Sequence, residues 1–161
     1  MFWESFAPFV MWVSETALAQ WLGLSTLRIA GLLSFHLFGL TILLGTLLIL
    51  NLRLLGLIQP QKPAAQLARE LAPGVWIGMP LILISGGLIF MGGALSYYES
   101  SWFRLKMILL FVAIVFHFTI QRAVIRAGED RVGPLLMKVT GSIELLLWFS
   151  VGFSGRAIGF F

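Results

Sequence analysis

The segment TLRIAGLLSFHLFGLTILLGTLLILNLRLLGL, residues 26–57, decides the fold of this chain. Between Ile29 and Leu50 it contains no Asp, Glu, Lys or Arg. A helix needs about 20 apolar residues to cross the hydrocarbon core of a bilayer, so this run predicts a transmembrane helix. One ionisable side chain, His36, interrupts it. An imidazole in lipid is costly unless it faces the bundle interior, a cavity or a cofactor, so His36 is the first candidate functional residue.

The composition of the whole chain also indicates a membrane protein. Of the 161 residues, 59% are hydrophobic and 11% are charged, whereas about 25% of the residues in soluble domains are charged. The net charge of +4 arises from Lys and Arg residues that flank apolar segments, which indicates contact with lipid headgroups and not with nucleic acid. The chain contains no Cys, which excludes disulfides, thiolate metal sites and covalently attached haem.

Four apolar segments predict an all-α integral membrane four-helix bundle in residues 25–161. The predicted spans cover about 27–57, 74–98, 102–125 and 135–158. The first span is expected to end near Pro60, because proline disfavours helical conformation in the residue before it. Lys and Arg are concentrated in the first and third connections, so the positive-inside rule predicts cytoplasmic loops and periplasmic termini in a bacterial inner membrane.

Residues 1–24 predict an amphipathic helix that lies in the membrane interface. Apolar side chains recur there at helical spacing from Phe2 to Ala17, and Trp residues at such a position are typical of interfacial helices. The stretch contains Ala-Leu-Ala, as a signal peptide does before its cleavage site. It carries Glu4 but no Lys or Arg, so we expect that it is not cleaved.

The predicted spans contain four ionisable side chains, namely His36, Lys106, His117 and Glu144. With a rise of ~1.5 Å per residue, His36 lies ~12 Å below the outer surface and His117 ~22 Å. Both histidines are candidate metal ligands. Two axial ligands of one haem b must lie at one level, so a separation of ~10 Å disfavours a shared iron but leaves it as an alternative. Gly39, one turn from His36, would leave room for a flat macrocycle.

The same depth estimate predicts other pairings. His117 and Glu144 come out at similar depth, which predicts a hydrogen bond or an ion pair that is either structural or proton-handling. Lys106 lies ~6 Å deep. It either snorkels to the surface or supplies a positive charge to a haem propionate, a quinone oxygen or a lipid phosphate. For His36 the structural alternative is a ring that is hydrogen-bonded to a backbone carbonyl.

Several motifs resemble a family of small, uncharacterised bacterial four-helix membrane proteins. These motifs are His36-x-x-Gly39, then Gly45, then Asn51-Leu-Arg53-Leu-Leu-Gly56-Leu, Phe103-Arg-Leu-Lys106 and Trp148…Gly155-Arg156. The resemblance covers most of residues 26–160 and implies no established activity. More loosely, the chain is similar to the membrane part of copper-resistance D proteins and to b-type cytochromes with few helices. That likeness implies a metal or a haem near the outer half of the first helix.

Three functions therefore stand as hypotheses. The first is a haem b-binding or quinone-associated electron-transfer subunit, in which His36 is an axial ligand or a hydrogen-bond donor to a quinone and Lys106 assists. The second is a non-catalytic accessory subunit, which docks its aromatic N-terminal helix and its glycine-rich faces onto a larger membrane complex. The third is transport of copper or another metal. The expected partners are membrane lipids together with other subunits or a second copy of the chain.

Overall fold

Helices make up nearly all of the computed structural model, which describes residues 3–160. The elements are a 3-10 turn Glu4–Phe6, α1 Ala7–Glu15, α2 Ala17–Gly23, α3 Thr26–Leu54, α4 Ala64–Gly92, α5 Ala94–Glu99, α6 Ser101–Phe116, a π-helical turn His117–Gln121, α7 Arg122–Ala127 and α8 Glu129–Ala157. Helix α6, the π turn and α7 form one continuous span, Ser101–Ala127.

Within the described residues, four helical segments are long and apolar enough to cross a membrane: α3, α4, the α6–α7 span and α8. Their outward faces carry large apolar side chains, such as Phe35 at 64%, Phe111 at 69% and Phe149 at 73% exposure. So large an exposed apolar surface is unfavourable in water and favourable against lipid chains. The architecture therefore fits a multi-pass membrane protein.

Neighbouring helices in the bundle run antiparallel. On α3 and α4, the later position Leu43 lies against Gly78, while the earlier His36 lies against Ser85. Helix α8 packs antiparallel on the α6–α7 span, and α3 contacts both α4 and α8. We name the end of the bundle at residues 26, 92, 101 and 157 the terminus side, and the end at residues 54, 64, 127 and 129 the loop side. The shared core consists of Leu43, Leu47, Val75, Met79, Ile82, Ala113, Trp148 and Val151.

The α3–α4 contact is close because small residues line it. A Cβ atom on Gly78 would lie 2.8 Å from Cβ and 2.9 Å from the backbone nitrogen of Leu43. The two backbones therefore touch directly, as they do where small residues mediate helix packing in membranes. This contact fixes the rotation of α4, and with it the direction of Ser85 two turns further along.

The second span differs from the prediction of 74–98, because α4 begins at Ala64 and ends at Gly92. Pro63 caps its start, and Pro73, which the sequence suggests as a break, lies inside the helix. Transmembrane helices tolerate internal proline, since neighbouring groups satisfy the freed backbone. Its end is set by Gly93, whose φ of −149° is not helical.

The other three spans lie close to their predicted positions. Helix α3 ends three residues early at Leu54, and Gly56 follows with φ of +79°. Within α8, Gly133 has φ of +74°, which separates the turn that begins at Glu129 from the straight helix. The predicted start of the fourth span near residue 135 corresponds to that straight part.

Two short helices replace the single amphipathic helix that was predicted for residues 1–24; Met1 and Phe2 of that prediction lie outside the described residues. The chain breaks at Thr16, where ψ is 143° and the hydroxyl caps α2 by accepting from the Ala19 amide. Helix α1 packs on α5 and α2 packs on α4. Val10 and Val13 are buried against Ala94, so this segment covers the terminus side of the bundle.

Candidate functional site: two intramembrane polar clusters

The first cluster, which we name the outer cluster, is centred on His36 near the terminus side. His36 lies on α3 and is partly exposed. Its Nδ1 atom lies 2.9 Å from Oγ of Ser85, which is buried on α4. The Ser85 hydroxyl donates its own hydrogen to the carbonyl oxygen of Leu81 one turn back. Toward the imidazole, Ser85 must therefore act as an acceptor.

The tautomer of His36 follows from that hydrogen-bond direction. Because Ser85 accepts, Nδ1 of His36 carries the hydrogen, and Nε2 of the neutral ring keeps its lone pair. The backbone of Ile82 on α4 also hydrogen-bonds to the imidazole, as the structural alternative for His36 expects. A histidine that donates from one nitrogen to a neighbour and presents the other is oriented as ligand-binding histidines are.

Glycines make space for the outer cluster. A Cβ on Gly86 would lie 3.2 Å from Cε1 and 3.6 Å from Nδ1 of His36, so this edge of the ring lies against α4. Lys106 crosses from α6 to α8, where a Cβ on Gly155 would lie 3.1 Å from its Nζ atom. Its ammonium is near enough to act electrostatically on His36. In the described part of the chain, Lys106 forms no ion pair with a carboxylate.

Gly39 does not have the role that the sequence suggested. A Cβ there would lie 2.9 Å from Cβ of Leu81 and 3.1 Å from Cγ2 of Ile82, and Gly39 is buried. Helix α4 therefore fills the space beside Gly39, and no room for a macrocycle exists there. The expectation was wrong because one sequence cannot show which helix occupies the gap that a glycine leaves.

The second cluster, which we name the inner cluster, joins His117 to Glu144 nearer the loop side. Nδ1 of His117 lies 3.0 Å from Oε1 of Glu144, and Glu144 is fully buried. Nε1 of Trp148 donates to the same oxygen at 2.9 Å. The structure thus brings His117 and Glu144 together, as their estimated depths predict. Trp148 was not singled out as a partner, although its position four residues after Glu144 on one helix places it on the same face.

A chain of amides extends the inner cluster to α3. Nε2 of Gln121 donates to Oδ1 of Asn51 at 2.6 Å, and Nδ2 of Asn51 donates to the carbonyl oxygen of Leu47 at 2.8 Å. Both amide side chains are fully buried. Sequence reasoning missed Gln121, although an uncharged polar residue near the end of a long apolar run is itself a signal.

Two oxygens of the inner cluster are buried without a hydrogen-bond partner among residues 3–160: Oε2 of Glu144 and Oε1 of Gln121. A buried polar atom without a partner costs about 1–3 kcal/mol. His117 and Gln121 also begin and end the π-helical turn, and single π turns inside α-helices occur frequently at functional sites. This part of the bundle therefore bears two signs of function.

The two histidines do not share one iron. Gln121 meets Asn51, and Asn51 follows His36 by 15 residues on α3, or ~22 Å. His117 precedes Gln121 by four residues, or ~6 Å, so the two imidazoles differ in level by ~16 Å. Axial nitrogens of one iron lie about 4 Å apart, which is twice a typical metal–nitrogen bond length. A haem b ligated by both His36 and His117 therefore does not fit.

The motif at residues 51–57 has a structural explanation on the loop side. Nη2 of Arg53 contacts Oε1 of Glu129 at 2.6 Å, and its Nε donates to the carbonyl oxygen of Lys62 at 2.6 Å. Arg53 is 5% exposed and ties the end of α3 to α8 and to the connection before α4. Asn51 supplies the amide of the inner cluster, and Gly56 adopts the left-handed conformation that ends the helix.

The fold and the two clusters define a small multi-pass helical membrane protein with polar groups inside its bundle. The chain belongs to a family of unknown function (DUF6644), whose model matches residues 28–161. This membership confirms the resemblance to an uncharacterised family. No curated protein and no solved structure matches the chain. The looser likeness to copper-resistance D proteins and b-type cytochromes is therefore supported by no named relative.

Proposed function

We propose that this protein is a quinone-associated electron-transfer subunit of the bacterial inner membrane, with its termini on the periplasmic side. The observation that carries the proposal is the outer cluster. His36 offers the lone pair of Nε2, the ring nitrogen that does not donate to Ser85, and Lys106 presents an ammonium without a carboxylate partner among the described residues. A hydrogen-bond acceptor and a cationic donor in the same apolar region match the two redox forms of a quinone.

The chemistry of each group suits one part of that recognition. The Lys106 ammonium donates to a quinone carbonyl and stabilises the negative charge of a semiquinone. Nε2 of His36 accepts one hydroxyl hydrogen of a quinol, and takes that proton when one electron passes to a redox centre of a partner protein, which leaves a neutral semiquinone. Since His36 is partly exposed on a lipid-facing helix, the ligand can enter laterally from the membrane.

The outer cluster is less well suited to a haem b. His36 is its one imidazole in the described residues, and the space beside Gly39 is filled by α4. A haem would require the helices to separate near residue 39. Transport of copper is not proposed either, because the described residues contain no group of three His, Cys, Asp or Glu side chains that could hold a metal ion.

The proposal is tested by quinone binding to the protein in lipid nanodiscs. Titrations with a short-chain quinone and, separately, with its quinol are followed by quenching of tryptophan fluorescence. Lys106→Met should raise the Kd of the quinone at least tenfold, since a hydrogen bond to a charged group contributes about 1.5–3 kcal/mol. His36→Ala should raise the Kd of the quinol, whose hydroxyl donates to Nε2, by about threefold to tenfold. Lys138→Met, which removes an exposed loop-side lysine, is the matched control and should bind as the unmodified protein does. Equal affinity in all four proteins would refute the proposal.

A second candidate function is that of an accessory subunit, and outward-facing glycines favour it. A Cβ on Gly31, Gly45, Gly87 or Gly152 would meet no atom within 4 Å. Such positions allow the backbone of another transmembrane helix to approach closely. Purification in mild detergent should then recover a stoichiometric membrane partner, and Gly45→Leu should lose it. Recovery of the chain alone under the same conditions would contradict this function.

A further inference from the structure

We propose that Glu144 is a proton-binding site within the membrane, with the proton held between Oε2 of Glu144 and Oε1 of Gln121. The inner cluster carries this inference independently of quinone binding at the outer cluster. Trp148 fixes the hydrogen-bond direction at the carboxyl group of Glu144, and Asn51 fixes it at the amide of Gln121. The ligand of this site is the proton. Protonated Glu144 is then a hydrogen-bond donor to Oε1 of Gln121.

The orientation of the amides follows from the Leu47 carbonyl, which can only accept. Asn51 therefore turns its NH₂ group to Leu47 and its Oδ1 atom to Gln121. Gln121 must in turn direct its own NH₂ group to Asn51. The remaining atom, Oε1 of Gln121, is an acceptor, and exchanging the oxygen and nitrogen positions would place two acceptors against each other.

The carboxyl group of Glu144 also has an oxygen that lacks a hydrogen-bond partner among the described residues. Its Oε1 atom accepts from the indole of Trp148, which can only donate, and lies 3.0 Å from Nδ1 of His117, which donates to it in one tautomer. Among the described residues, no group donates to Oε2. An ionised Glu144 would therefore leave two buried acceptors unsatisfied in one cluster. A proton on Oε2 converts that oxygen into a donor. We assign Oε1 of Gln121 as its acceptor, because Gln121 lies one turn after His117 and this oxygen is also buried without a partner among the described residues.

The helices around Glu144 offer no free positive charge that would stabilise an ionised carboxylate in place of the proton, among the residues that the structure describes. On α3, Asn51 is neutral and the nearby Arg53 is engaged by Glu129. On α7, the Arg122 guanidinium lies over the rings of Trp76 and Phe118. Lys138 on α8 is exposed, and the α4 residues of the core are apolar. His117 is thus the one other titratable group in contact with Glu144 in the described structure.

A metal cation is a less suitable ligand than a proton. Sodium and similar hard cations require about six oxygen ligands, whereas the cluster offers two unpartnered oxygens. A proton requires one oxygen to bind and one to accept.

The experiment is infrared spectroscopy of the reconstituted protein near pH 7. The unmodified protein should show a carboxylic-acid C=O band that shifts on ¹³C labelling of glutamate and in D₂O. The band should disappear in Glu144→Gln and persist in Glu70→Gln, whose carboxylate is exposed. Gln121→Leu should move the band to higher frequency, because the acid loses its acceptor. Absence of a ¹³C-sensitive acid band, or its persistence in Glu144→Gln, would overturn the proposal.

Thermal unfolding distinguishes a bound proton from a charged His117–Glu144 pair. Glutamine at position 144 reproduces the protonated acid, since its Oε1 accepts and its NH₂ group donates to Gln121. Glu144→Gln should therefore keep the Tm within about 3 °C of the unmodified protein. A charged pair would leave a buried imidazolium without its partner in that variant. A fall in Tm of more than about 6 °C would then follow, and would overturn the proposal.

Discussion

The contact between Gly86 and His36 supports a prediction that separates stability from ligand binding. In Gly86→Ala the new Cβ would lie 3.2 Å from Cε1 and 3.6 Å from Nδ1 of His36. Carbon atoms in favourable contact are about 3.5–4.0 Å apart, so the ring must move by roughly 0.5 Å. The 2.9 Å bond from Nδ1 to Ser85 then lengthens beyond the usual limit of about 3.2 Å. Gly87→Ala is the matched control, because its Cβ meets no atom within 4 Å.

The expected magnitudes follow from two opposing effects. Alanine is favoured over glycine in a helix by about 1 kcal/mol, and the weakened hydrogen bond costs about 0.5–1.5 kcal/mol. Gly86→Ala should therefore unfold near the Tm of the unmodified protein, whereas Gly87→Ala should gain about 2–4 °C. Quinol affinity should fall roughly threefold to tenfold in Gly86→Ala, because Nε2 is no longer held in place, and stay constant in Gly87→Ala. Titration in nanodiscs and ¹⁵N chemical shifts of His36 measure both effects. Unchanged affinity and unchanged His36 shifts in Gly86→Ala would refute the reasoning.

Three stability predictions rest on other contacts and can be measured together by thermal unfolding in one detergent. Gly78→Ala should lower stability by about 1–3 kcal/mol, because its Cβ collides with the backbone of Leu43; a Tm equal to that of the unmodified protein would contradict the close α3–α4 contact. Arg53→Met should lower the free energy of unfolding by about 2 kcal/mol, because it loses the bonds to Glu129 and to the Lys62 carbonyl. Glu129→Gln should lower it by less, and a larger loss in Glu129→Gln than in Arg53→Met would contradict the role of Arg53. Gly56→Ala should cost about 1 kcal/mol because φ is +79°, and a gain in Tm would show that this conformation is not required.

Much of the fold could be predicted from sequence because it depends on the length of apolar runs. The first span was placed to within three residues, since an uncharged stretch of that length has few alternatives in lipid. The start of α4 was misplaced because residues 58–73 are polar and end at Pro73, so the sequence alone places them in a connection. Only the neighbouring helices determine that the chain continues through it.

The sequence predicted how deep the candidate site residues lie in the bundle, but not which side chains they contact. Counting residues from the helix ends placed His117 and Glu144 at one depth, because the helical rise is nearly constant. The same count could not find Ser85, Asn51 or Gln121 as partners, since the rotation of each helix about its axis depends on contacts such as that of Gly78 with α3. The hydrogen-bond partners of these side chains can therefore be identified only from the structure of the packed bundle.

The two clusters should act independently, because α3 separates them with apolar residues. Its buried positions between His36 and Asn51 are Gly39, Leu43, Leu47 and Leu50, none of which can relay a proton. Changes at sites more than about 7–10 Å apart without shared partners are usually additive to within about 0.5 kcal/mol. His36→Ala combined with Glu144→Ala should therefore lower the free energy of unfolding by the sum of the single effects. In the infrared spectrum, His36→Ala alone should leave the Glu144 band unchanged. A shift of that band, or a coupling energy above about 1 kcal/mol, would require a polar connection through the core and would contradict the separation of the two sites.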